Sequence, residues 1–291
     1  MKNVYVPTSR GILLNGTLFQ ETNQADTLVI AITGIHGNFY SNPFYYTFGH
    51  TLNSKNIDFL YAQTNDAFPQ IPTFNVKTKR EEVIGSWNER FDQTEDDIAS
   101  YLRFAKENGY KHVILAGHSL GANKVIHYLS EHPEAEIDHF LLLSPANLEA
   151  MMAHVTDHEK ALILNQVQRG DGCKMLPFAF MGWVECIANT AYDWVFQNPF
   201  NNVHLETDRP HEDLEKIQHT GALLIGTYDN FAGGDPVGFL QNINNHMPTK
   251  DKNDLIFIEK TGHTYQQKHQ ETANAIVKEV LKWRKDDEKN I

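Results

Sequence analysis

The chain has 291 residues and a formal net charge of −12, from 25 basic and 37 acidic side chains. That length allows one large α/β domain with a sizeable core, and the acidic balance argues against a nucleic-acid or anionic-membrane surface. No apolar run approaches the ~20 residues of a membrane span and Met1 to Thr8 is too polar for a signal sequence, so a cytoplasmic location is expected.

Val4 and Val6, then Ile12, Leu14 and Leu18, alternate with polar neighbours. This predicts an antiparallel hairpin at a sheet edge, turning at Ser9-Arg10-Gly11. The continuous apolar run from Thr27 to Thr33 predicts a buried strand, Phe44 to Lys55 a helix, and Ile57 to Ala62 a second buried strand. Pro69 and Pro72 interrupt Asn65 to Asn88, which is expected to be a long irregular excursion over the surface. Thr94-Glu95-Asp96-Asp97 resembles a capping box. Ile98, Tyr101, Leu102 and Ala105 follow it at helical spacing as far as Gly109.

The strand His112 to Ala116 leads into Gly117-His118-Ser119-Leu120-Gly121, and a helix carrying Val125, Ile126 and Leu129 follows. A G-x-S-x-G pentapeptide between a strand and a helix is the setting in which a serine is pushed out of a sheet as a nucleophile. The alternative is a plain glycine- and serine-containing loop. The Leu120 amide would stand at a helix N-terminus, where negative charge is favoured. His118 is expected to be structural, with its ring turned into packing.

A further strand is predicted at His139 to Ser144, after which the strand–helix alternation stops. Residues 147–218 are expected to be a helical cap inserted into a core made of residues 1–146 and 219–291. Within that insert Phe178, Phe180, Met181, Trp183 and Trp194 either line an apolar pocket or simply pack onto the core. Alternation resumes with strands at Ala222 to Ile225 and Leu255 to Ile258, a helix around Val237 to Ile243, and a last helix from about Tyr265 to Lys285. Such alternation implies a mostly parallel sheet with helices on both faces.

In sheets of this kind ligands gather at the carboxyl ends of the strands. After the first buried strand, Gly34-Ile35-His36-Gly37-Asn38 can aim a backbone N–H at Ser119, with Asn38 the expected donor beside Leu120. After Ala222 to Ile225 comes Asp229, placed to orient a histidine, with Asp235 as the competing acid; the alternative is that both are helix caps or turn residues, and Glu149 lies not far past the earlier strand. After Leu255 to Ile258 comes His263, placed as general base. Ser119, Asp229 and His263 thus occur in the order Ser…Asp…His. The 15 histidines show no metal-ligand spacing, so no metal is expected. The two cysteines, Cys173 and Cys186, are expected to be buried free thiols.

With these motifs the chain resembles the α/β-hydrolase superfamily over nearly its whole length. Gly34 to Tyr40, the Gly170 to Pro177 segment, Asp193 to Phe196 and Asn198-Pro199 resemble a branch of it from fungi and trypanosomes named for a domain of unknown function. The resemblance implies an eight-stranded sheet with the cap after its sixth strand, serine hydrolase chemistry and no cofactor. It also raises siderophore esters as a substrate possibility. A carboxylic ester hydrolase acting on a small-molecule ester is the expectation, and the oligomeric state is left open. Acyl transfer on the same residues, or an idle binding module with this fold, are the alternatives.

Overall fold

The computed structural model describes residues 1–21 and 25–289. The strands are β1 (Lys2–Pro7), β2 (Leu13–Phe19), β3 (Thr27–Ile32), β4 (Asp58–Ala62), β5 (Ile71–Asn75), β6 (Arg80–Ile84), β7 (His112–His118), β8 (His139–Leu143), β9 (Thr220–Gly226) and β10 (Asp254–Ile258). The helices are α1 (Phe44–Asn53), α2 (Thr94–Glu107), α3 (Leu120–Glu131), α4 (Leu148–Met152), α5 (Asp157–Gln168), α6 (Ala188–Phe196), α7 (Pro236–Asn245) and α8 (His269–Lys289). Eight strands form one sheet in the order β1-β2-β4-β3-β7-β8-β9-β10. The β1–β2 and β2–β4 pairs are antiparallel and the other pairs are parallel. This is the α/β-hydrolase fold.

The central strands read as continuous apolar runs because both faces are covered. On one face Leu28, Ile30, Leu115 and Leu223 pack with Ile98 and Tyr101 of α2, Val125 and Leu129 of α3, and Phe239 of α7. On the other face Val29, Ala116, Leu141 and Leu224 pack with Phe44 and Phe48 of α1 and with Ile276 and Val280 of α8. Between β8, the sixth strand of the sheet, and β9 lies a segment with its own apolar cluster, built from Ile163, Phe180, Ala191 and Trp194. That cluster meets Leu120, at the start of α3. Buried Asn123 of α3 ties the segment down: its amide donates to the carbonyls of Ala146 and Phe200, both at 2.9 Å, and its oxygen accepts from Ala146 N–H.

Three local expectations are corrected. The excursion after β4 contains the β5–β6 hairpin, with Pro72 paired opposite Val83. A two-stranded ribbon has free edges, so a proline lacking an N–H is tolerated there as it is not in a sheet interior. Thr94 forms no capping box, because α2 begins at Thr94 and Gln93 occupies the cap without a side-chain bond. The acidic turn instead receives Arg10, which pairs with Asp96 at 2.9 Å and with buried Asp97 at 2.7 Å. Of the two free cysteines, Cys186 is buried but Cys173 is exposed.

One buried ionic cluster binds the core to the excursion. Lys124 of α3 meets Asp66, just past β4, at 2.7 Å and Glu89 at 3.4 Å, all three nearly inaccessible. Burial raises the Asp66 carboxyl, but the Lys124 ammonium outweighs it and holds that carboxyl below its ordinary value. Glu89 has no such share of the cation. Burial, then the Asp66 charge, pushes it up to about 8. A carboxyl raised in the folded state stabilises fully below its unfolded value near 4.5, and that stability is lost as pH rises through about 8. Glu89→Gln is therefore expected to flatten the fall in stability across that window. At pH 9 it should be more stable than the parent by on the order of 1–3 kcal/mol, read by urea denaturation.

Candidate active site

The turn from β7 into α3 is made by close backbone packing. A Cβ on Gly121 would sit 2.3 Å from the Ile32 carbonyl oxygen at the end of β3. Only glycine lets α3 start this close to the neighbouring strand. Ser119 takes up the turn with φ 58° and ψ −130°, a conformation that non-glycine residues seldom adopt. Its N–H bonds to Leu143 O at 3.0 Å and its carbonyl accepts from Ala122 N–H at 2.9 Å, so the strained backbone is held from both sides. Its side chain remains half-buried. Leu120 opens α3, and its N–H has no partner within the helix.

Asp229 and His263 come from the ends of β9 and β10, one strand apart. His263 Nδ1 lies 2.9 and 3.0 Å from the two carboxylate oxygens of Asp229. Asp229 is 1% exposed and His263 9%. A buried carboxylate at Nδ1 favours the tautomer with its proton there, which leaves Nε2 as the ring's acceptor. The same carboxylate accepts from Phe231 N–H at 2.9 Å, and the Phe231 ring lies 4.4 Å from the His263 ring, centroid to centroid. Asp235 does other work. It caps α7, accepting from Gly238 N–H at 2.9 Å. Glu149 faces Arg209 at the surface.

His118 sits beneath His263. Its Nε2 is 2.8 Å from the His263 carbonyl oxygen, which can only accept, so His118 carries its proton on Nε2. Burial, and next the neighbouring His263, push it down to about 3, so it is neutral. Its ring packs 4.8 Å from that of Phe44. The elbow and the His263 loop are thus joined by a direct bond from the residue next to Ser119.

The glycine-rich turn after β3 also meets the elbow, at Gly34. A Cβ there would lie 3.2 Å from Leu120 N and 3.3 Å from Ser119 Cβ. The Asn38 amide, the expected donor, is spent inside its own turn, on His36 O at 3.0 Å and Ser41 Oγ at 3.1 Å. The residue following Gly34 is Ile35, whose N–H makes no hydrogen bond among the described residues. Its side chain packs on the cluster that contains Leu120. Ile35 is three residues past β3 and Asn38 is six, so distance from the strand end is the sequence signal that separates these two turn positions.

A cavity of about 370 Å³ opens beside Phe231. Its walls include Met151, Met181, Trp183 and Phe231, together with Asn147 and Ala150. Of the five aromatic and methionine residues singled out in the insert, Met181 and Trp183 reach the cavity, whereas Phe180 and Trp194 are buried in the segment's own cluster and Phe178 packs against it. Among the described residues no group of three histidine, cysteine or carboxylate side chains could hold a metal ion.

The profile of the lipid-droplet associated hydrolase family matches residues 26–223. That stretch contains Ser119 and ends short of Asp229 and His263. Among proteins of curated function none matches the sequence. Several solved structures share the fold at low identity. Est1E from Butyrivibrio proteoclasticus has a TM-score of 0.66 and 18% identity, over 97% of this chain and 99% of that one. A monoacylglycerol lipase from Paleococcus ferrophilus has a TM-score of 0.63 and 16% identity, over 93% and 99%. The esterase Pf2001 from Pyrococcus furiosus has a TM-score of 0.59 and 18% identity, over 97% and 92%.

His118→Phe keeps a ring in place but strips the buried His263 carbonyl of its donor, at an expected cost of about 1–3 kcal/mol at pH 7. A histidine depressed in the folded state stabilises above its unfolded value of 6.5, and that stability is lost as pH falls toward about 3. The gap between parent and variant in urea melts should therefore narrow from pH 7 to pH 5.

Proposed function

The chain belongs to the lipid-droplet associated hydrolase family, and from that premise we propose that it is a serine hydrolase of carboxylic esters. The observation that carries this reading is the buried Asp229–His263 pair, with both carboxylate oxygens at Nδ1. It fixes the tautomer in which Nε2 can take a proton. In the proposed reaction Ser119 Oγ attacks the ester carbonyl and its proton passes to His263 Nε2. The N–H groups of Leu120 and Ile35 hold the oxyanion; preorganised donors of this kind are worth about 2.7–4 kcal/mol each in related chemistry. Collapse expels the alcohol, which takes the proton from His263, and leaves an acyl group on Ser119. Water, deprotonated by His263, then releases the acid.

Asp229 orients His263 and stabilises the imidazolium that forms after proton transfer. The segment 147–218 acts as the cap over this site. Esterases and a lipase among the structures of the same fold accord with ester substrates.

A fluorophosphonate probe and a panel of butanoate esters test the reading. Ser119→Ala and His263→Ala should lose both labelling and turnover while keeping the parent's circular dichroism. Asp229→Asn should lower kcat by about 10³–10⁴-fold. Asp235→Asn, which keeps a good helix cap, should stay within about twofold of the parent. Parent-level turnover by Ser119→Ala, or equal losses in the two aspartate variants, would overturn it.

A further inference from the structure

The cavity is walled by Phe231, whose ring stands between it and the His263 ring, so it lies on the histidine side of the site. Phe231 is fixed relative to the pair, because its N–H donates to Asp229 and its ring lies against the His263 ring. Its carbonyl in turn accepts from Asn147 N–H at 2.9 Å, on the cavity wall. In ester cleavage the histidine hands its proton to the departing alcohol, so space on the histidine side is space for the alcohol half of the substrate. We propose that this cavity is the alcohol subsite, and that it takes a compact aryl alcohol carrying an oxygen acceptor. The proposal rests on the serine esterase reading above.

Three features set that chemical class. The first is size. A volume of about 370 Å³ lies at the small end of ligand pockets, which run from about 300 to 1,000 Å³. It has room for one ring and a short tether rather than a long chain. The second is wall chemistry. Met151 and Met181 present thioethers, and Trp183 and Phe231 present rings. Sulfur–aromatic and ring–ring contacts favour an aromatic occupant over an aliphatic one of equal area. The indole of Trp183 is steadied by an edge contact with His36 at 5.1 Å.

The third is Asn147, 5% exposed and on the cavity wall. Its side-chain oxygen is committed to capping α4, accepting from Ala150 N–H at 3.0 Å. Its side-chain nitrogen donates no hydrogen bond among the described residues and keeps some accessible surface. A donor on a cavity wall with no protein partner is open to a ligand that brings an acceptor.

Ethyl, 3-phenylpropyl and 2-phenoxyethyl butanoates separate these terms, because the two aryl alcohols have the same length and differ by one ether oxygen. The parent should prefer both aryl esters to the ethyl ester in kcat/KM, and 2-phenoxyethyl to 3-phenylpropyl by about 5-fold or more. Ala150→Leu adds three carbons on a wall helix that tolerates leucine well. It should cut the ratio of 2-phenoxyethyl to ethyl kcat/KM by about 10-fold or more, the scale at which hydrophobic pockets discriminate. Asn147→Asp keeps the cap but loses the donor, and should erase the preference for the ether oxygen.

Binding gives a readout that needs no turnover. 2-Phenoxyethanol should saturate the Ser119→Ala protein in ligand-observed NMR and fail to do so once Ala150→Leu is added. Such binding, with no ester cleaved by the parent, would overturn the esterase reading and the assignment to the alcohol half of an ester, and would keep only the cavity's preference for an aryl alcohol. Ester cleavage with ratios unmoved by Ala150→Leu and Asn147→Asp would overturn the alcohol subsite alone.

Discussion

Everything in the site depends on how closely α3 approaches the end of β3. Gly121 lies against the Ile32 carbonyl at a separation no Cβ would allow, and Gly34 lies against Ser119 and Leu120 with space for a Cβ only if its neighbours gave way. That approach forces the chain through a left-handed backbone conformation at Ser119. It also brings the N–H at the start of α3 beside the turn that follows β3. Strain of this kind persists only where the surroundings over-determine it. Here Leu143 O and Ala122 N–H grip the Ser119 peptide groups, and the parallel β3–β7–β8 register holds the strands beneath.

The parallel sheet does the second part of the work. Because β7, β9 and β10 all point the same way, their carboxyl ends place the turn at Ser119 and the loops bearing Asp229 and His263 along one edge. His118 converts that neighbourhood into a bond, reaching from the elbow to the His263 carbonyl. A buried imidazole held neutral suits this role, since it can donate without bringing a charge next to His263.

The excursion between β4 and α2 couples this core to the inserted segment. Trp87 O accepts from Ile187 N–H and Glu89 O from Thr190 Oγ1, so the strap grips α6 and its approach. Its other side is anchored by the Lys124–Asp66–Glu89 cluster, with His36 Nε2 bonded to Ser86 Oγ at 2.6 Å. Helix α3, the turn after β3 and the inserted segment are therefore tied through one stretch of chain. The buried ion pair at its root is better understood as setting this geometry than as a source of stability, since desolvation offsets much of the attraction.

The features legible in the sequence were those written in local pattern. Apolar runs marked β3, β4, β7, β8, β9 and β10 because strands covered on both faces have no polar side. G-x-S-x-G between strand and helix marked Ser119, and the chain order picked out Asp229 and His263 for one edge. Local pattern failed where partners come from far away. Thr94 resembles a cap, yet its acidic turn is claimed by Arg10 from the far end of the chain. Pro72 looks like a breaker, yet it has a ribbon partner in Val83. Asn38 looks like a donor to the site, yet Ser41 and His36 take its N–H. By itself the sequence determined the sheet, its alternation with helices and the order of the reactive residue types. The tertiary structure decided which acid meets His263, which amides are free and which insert residues wall the cavity. Those outcomes depend on distances between segments tens to hundreds of residues apart, and close packing sets such distances while local periodicity does not.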